Sequence, residues 1–189
     1  MKDETGNLTA EQSLDIITSM IRQAKGNVQR NNFYFLLWGW IIVIANLGMY
    51  ILSVLDYKHP YIVWVITVPA WIYTLFKASR TAKTTQPITH FDRISGWLWI
   101  SFGITTFCLV AFGSLINYQI NPLILTMSAI PTFVSGIILR FKPLVIGGIS
   151  FWVFGVVCFL VTKELQPLIG ATAVICGFLI PGYLLKRKG

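Results

Sequence analysis

Few side chains in this sequence could do chemistry, and their spacing keeps them apart. The 189 residues include two histidines, His59 and His90, and three cysteines, Cys108, Cys158 and Cys176. His90 opens the segment His90-Phe91-Asp92-Arg93, which brings an imidazole, a carboxylate and a guanidinium within four residues. Residues i and i+2 do not face each other on a helix, so His90 and Asp92 would not form a dyad there. The stretch Ala78–Ile94 instead reads as a solvated basic loop in which Asp92 balances Arg93. The cysteines all sit in apolar runs without a CxxC spacing, so neither a zinc site nor a disulfide framework is expected. They read as small buried hydrophobes. No P-loop, HExxH or GxSxG pattern occurs, so we expect no catalytic residue, metal or cofactor, and a protein that is not an enzyme.

The elements around these residues are set by composition. Hydrophobic residues make up 55% of the chain and charged residues 12%, whereas soluble proteins carry about 25% charged residues. A soluble domain this size could not cover its surface with so few charges. Spanning about 30 Å of hydrocarbon takes about 20 apolar helical residues. Six segments qualify, at about 33–55, 61–77, 95–116, 122–139, 143–161 and 167–185, and none carries an ionisable side chain before its last residue. The expected fold is therefore all-α: a six-helix transmembrane bundle over 32–189, preceded by an amphipathic helix in 1–31. The polar N-terminus has no apolar core of a signal peptide, so the first span is expected to act as the insertion signal.

Lys and Arg give the orientation. With the N-terminus inside, 13 of the 15 bases fall in inner segments, and only Lys58 and Lys163 lie outside. This is the positive-inside pattern, and it predicts that both termini are cytoplasmic. The net charge of +8 is then all on the inner side. Such a balance in a soluble domain would suggest nucleic acid, but here the bases are spread over membrane-proximal loops, and no nucleic-acid partner is expected. Anionic lipids at the inner face are the expected counterpart. His59 falls on the opposite side from His90.

A weak repeat suggests three helical hairpins in series. Each outer loop ends in proline, at Pro60, Pro122 and Pro167, and Pro69, Pro131 and Cys176 follow nine residues later. Proline is tolerated in a helix's first turn, while Pro69, Pro131 and Pro181 are expected to kink their helices.

Three features could carry function. The first is the N-terminal helix. Thr9 and Gln12 fit a capping box, and Leu14, Ile17, Ile21, Ala24 and Val28 recur at spacings of 3, 4, 3 and 4, with Ile16 and Met20 widening the stripe. Gly26 offers a hinge before the first span. Such a face could lie on the bundle or the lipid surface, bind a partner or a second copy, or move as a regulatory element. The second is the run Ala173, Gly177 and Pro181, small residues every fourth position that let helices approach closely. The third is a set of aromatics, Trp38, Trp40, Trp71, Trp97 and Trp99 among them, which reads mainly as interfacial belts. Polar groups within the spans are limited to Asn46 and hydroxyls such as Thr105, Ser128, Thr132 and Ser135, which tend to bond back to their own helix.

The segment from Ser13 to Lys25, followed by Leu36-Leu37-Trp38-Gly39-Trp40, resembles the opening of a group of uncharacterised bacterial polytopic inner-membrane proteins. These begin with such a helix and an LWG-type first span. The resemblance covers about the first fifty residues and implies a bacterial cytoplasmic membrane without naming an activity. Two functions follow as expectations. One is docking, sensing or regulation through the N-terminal helix. The other is a small transporter or channel for a neutral or apolar solute.

Overall fold

A computed structural model describes residues 10–82 and 90–188. Within them all regular structure is helical and no strand occurs. The helices are α1 (Ala10–Val54), α2 (Thr67–Ala82), α3 (His90–Ala111), α4 (Ile120–Ile138), α5 (Lys142–Leu160), α6 (Gln166–Val174) and α7 (Ile180–Lys188). Turns of 3-10 helix at Pro60–Ile66 and Gly113–Ile116 precede α2 and α4, and a π-helical turn at Ile175–Leu179 joins α6 to α7. Six stretches are long and apolar enough to cross a membrane: Asn32–Val54, Pro60–Lys77, Arg93–Ala111, Ile120–Ile138, Lys142–Leu160 and Gln166–Arg187.

These bounds match the sequence expectation closely, with instructive exceptions. The third span stops at Ala111 instead of 116, because the chain turns through Gly113–Ile116 and leaves helical geometry at Asn117 and Tyr118, both at positive φ. Helix α1 runs unbroken through Gly26 and across the 31/32 boundary. A single glycine costs a helix about 1 kcal/mol, and the helical turns on both sides carry it. Its expected N-cap, Thr9, lies outside the described residues. The loop expected over Ala78–Ile94 is also corrected. Helix α2 continues to Ala82 and α3 already begins at His90, so His90, Asp92 and Arg93 are helical. Once a helix is nucleated, each further residue adds a hydrogen bond, so it extends until something breaks it.

Most of the described prolines fall where lost N–H groups cost least. Pro143 and Pro167 sit in the first turn of α5 and α6, and Pro69 at the start of α2. Pro131 lies inside α4. Pro181 follows the π turn. Its ring would crowd the carbonyl four residues back in an α-helix, and the widened turn at Ile175–Leu179 relieves that contact. Three connections close alike. Tyr57, Tyr118 and Phe141 donate their N–H to the carbonyls of Leu52, Gly113 and Gly136, around Asp56, Asn117 and Arg140 at φ near +50°. This is the Schellman closure, here built without glycine.

Helices α1, α4, α5 and α6–α7 form the core. Glycines mark their contacts. A Cβ at Gly136 would meet the Val145 backbone at 2.6 Å, one at Gly148 would meet Phe133 at 2.7 Å, and one at Gly155 would meet Thr126 Oγ1 at 2.5 Å, so α4 and α5 run antiparallel in near-backbone contact. Gly147 likewise abuts the Gly177 carbonyl, at 2.7 Å, and Gly170 abuts Asn46 Oδ1, at 2.8 Å, which sets α6–α7 against both α5 and α1. Phe151 is buried at the centre, edge-on to Phe178 with centroids 4.9 Å apart, and Phe178 reaches Phe35 and Trp99. Helices α2 and α3 lie outside this core. Helix α2 leans on α1 through Trp71 against Trp38, 5.2 Å between centroids, and through Lys77 over the Phe33 ring. Helix α3 reaches inward through Trp99, at 6.0 Å from both Phe35 and Phe178.

Candidate functional site

Hydroxyls, amides and small residues on α1, α4 and α6 collect the core's polar chemistry. Ser128, Thr132 and Ser135 occur at i, i+4 and i+7 on α4, so they share one face, and all three are buried. Ser128 donates to the Leu125 carbonyl at 2.8 Å and Thr132 to the Ser128 carbonyl at 2.7 Å. Ser135 Oγ has no hydrogen-bond partner. On α1, Asn46 donates through Nδ2 to the Ile42 carbonyl at 2.9 Å, while Oδ1 lies against Gly170 and accepts no hydrogen bond. Asn32 Oδ1, near Gly182, is likewise buried and unpaired.

At the end of the core where α4 and α6 begin, Gln166 is 3% exposed. Its Nε2 donates to Gln119 Oε1 at 2.7 Å and to the Cys158 carbonyl at 3.3 Å, tying the starts of α4 and α6 to the last turn of α5. A helix end leaves carbonyls unpaired, and this amide satisfies one of them. Sequence reading named Asn46 and the three hydroxyls but missed Asn32, Gln119 and Gln166. The available signal was that Asn32 and Gln166 are polar residues in the first turn of an apolar run.

The structure separates the residues singled out from sequence. Ala173, Gly177 and Pro181 all come into the core, Gly177 against Gly147 and Phe151, and Pro181 fully buried. Leu14, Ile17, Met20, Ile21, Ala24 and Val28 lie along α1 before its apolar span, and their side chains fall outside the described residues. His90, Asp92 and Arg93 occupy the first turn of α3, with Arg93 exposed. Cys108 is exposed, Cys158 buried and Cys176 half-buried. Among the described residues no three His, Cys, Asp or Glu side chains gather into a group that could hold a metal ion. Of the tryptophans, Trp40 donates to the Tyr183 hydroxyl at 3.1 Å and Trp64 to Met49 Sδ at 3.3 Å.

Fold and composition thus define, among the described residues, an all-α protein with six helical stretches long and apolar enough to span a membrane. Comparison with family models, curated proteins and solved structures gives no match to the chain.

Proposed function

We propose that the chain is a multi-pass protein of a bacterial inner membrane, non-enzymatic, with both termini cytoplasmic and three helical hairpins, which docks a cytoplasmic partner through the N-terminal part of α1. The continuity of α1 carries this reading. Its 45 residues less the 23 of the apolar span leave 22 ahead of it. At 1.5 Å per residue they extend about 33 Å. A helix without a break keeps one axis, or curves gently, so this segment extends from the span instead of folding flat onto lipid. Its stripe of Leu14, Ile17, Met20, Ile21, Ala24 and Val28 then needs a protein surface to cover it. The 13 to 2 partition of bases supports the orientation.

The test compares detergent-extracted full-length protein with the Ile17→Asp/Ile21→Asp variant as bait. A partner retained by the first and lost by the second supports docking, and identical partner sets overturn it. Labelling single cysteines placed at positions 58 and 187 from each side of sealed vesicles tests the orientation. The proposal requires position 58 to be reached only from outside and position 187 only from inside.

A further inference from the structure

We infer that the core holds a polar lane that binds and passes small neutral hydrogen-bonding molecules, water and polyols being the chemical class. This goes beyond docking and shares with it only the membrane setting.

The contacts between helices put the lane's members on a common scale. Gly170 meets Asn46, Gly155 meets Thr126, Gly147 meets Gly177 and Gly148 meets Phe133, so α1 and α5 run opposite to α4 and α6–α7. Asn46 therefore stands near the level of Thr126, just past Ser128. Thr132 and Ser135 follow along α4. Asn32, opposite Gly182, closes the series at the end where Lys186 and Arg187 lie, and Gln166 closes it at the other. At 1.5 Å per residue, Gln166, Asn46, Ser128, Thr132 and Ser135 succeed one another in depth by about one helical turn or less, and Asn32 follows after a longer step.

All six of these side chains are buried, at 8% exposure or below. A polar atom in hydrocarbon without a partner costs several kcal/mol. Membrane helices that need only close packing meet it with small residues, Gly, Ala, Ser and Thr, a set to which Asn32, Asn46 and Gln166 do not belong. This core holds three unpaired oxygens, Asn32 Oδ1, Asn46 Oδ1 and Ser135 Oγ. The oxygens of Ser128 and Thr132, although their protons go to their own helix, keep lone pairs that can accept. Acceptors predominate and no charge accompanies them. The matching guest is a small neutral donor, a molecule with O–H groups, while an ion would find no counter-charge.

The experiment is osmotic light scattering on proteoliposomes of the full-length protein, with sucrose as the impermeant osmolyte for water flux and a glycerol gradient for polyol flux. Expected is a rate above protein-free vesicles for one or both probes. Thr132→Val, which keeps shape but removes the hydroxyl, and Ser135→Ala should each slow that flux about fivefold, the factor of one lost hydrogen bond. Thr105→Val, which removes a similarly back-bonded hydroxyl on the peripheral α3, should leave it unchanged. Matched thermal unfolding of all variants excludes misfolding. Both probes at the protein-free rate, or equal flux in wild type and the two lane variants, overturn the inference. Docking fails or holds separately, through the partner set of the Ile17→Asp/Ile21→Asp variant.

Discussion

Helices α3 and α4 have nearly the same mean hydropathy over their apolar windows, 1.6 and 1.5, yet 0% of the first window is buried and 44% of the second. Apolarity therefore does not decide which helix enters the core. Lipid tails are as apolar as a protein interior, so helices gain little from hiding apolar surface from them. What differs is fit. Helix α4 presents Gly136 and small hydroxyl residues to its neighbours and faces Gly148 and Gly155 on α5. Helix α3 carries Trp97, Ile100, Ile104 and Phe107 outward, and a side chain on its Gly96 would point into open space. The same contrast holds for α2, whose span is 6% buried against 56% for α6–α7.

The contrast can be broken first at its centre. Phe151→Ala should cost about 3 kcal/mol, the low end for a buried phenylalanine, because packing is lost while the transfer gain is small in lipid. Phe107→Ala, at a side chain 74% exposed, should change unfolding in detergent negligibly. Comparable losses for the two would mean α3 belongs to the core. A smaller effect separates the glycines. Gly147→Val places atoms against the Gly177 backbone, which cannot give way as a flexible side chain can, and should cost about 2 kcal/mol by overpacking. Gly96→Ala should instead stabilise α3 by up to about 1 kcal/mol through helix propensity. Thermal unfolding of the pair checks both signs. A third test sharpens the contrast at the edge of the core. Gln166→Leu leaves the Cys158 carbonyl and Gln119 without their donor and should cost about 1–2 kcal/mol. Gln166→Glu keeps the shape but offers no N–H to either acceptor, so it should lose stability as well. An unperturbed melting curve for both variants would show that the amide clamp does not hold these helix ends together.

Much of the fold was legible beforehand because the bilayer imposes a length and a hydrophobicity on every spanning segment. Asn46, Ser128, Thr132 and Ser135 could be named as the spans' polar residues from sequence, since few polar side chains occur there. Their burial could not, because hydroxyls at i and i+4 look the same facing lipid or facing the core. Thr105 and Thr132 make the same back-bond to the fourth residue before them, and only one is buried. The first turn of α3 misled for another reason. His90 to Arg93 look polar and loop-like, yet polarity does not stop a helix that the following apolar run sustains.

Sequence alone determined the number of apolar helices and their approximate bounds. Each of these depends on local composition against a bilayer of fixed thickness. Tertiary structure decided that α1 is one uninterrupted rod, that α2 and α3 are peripheral, and that Ala173, Gly177 and Pro181 pack inward. It also placed Asn32, Gln119 and Gln166 with the core's polar residues. These depend on steric fit between helices distant in sequence, where a missing Cβ at Gly147 or Gly170 decides which backbones can touch.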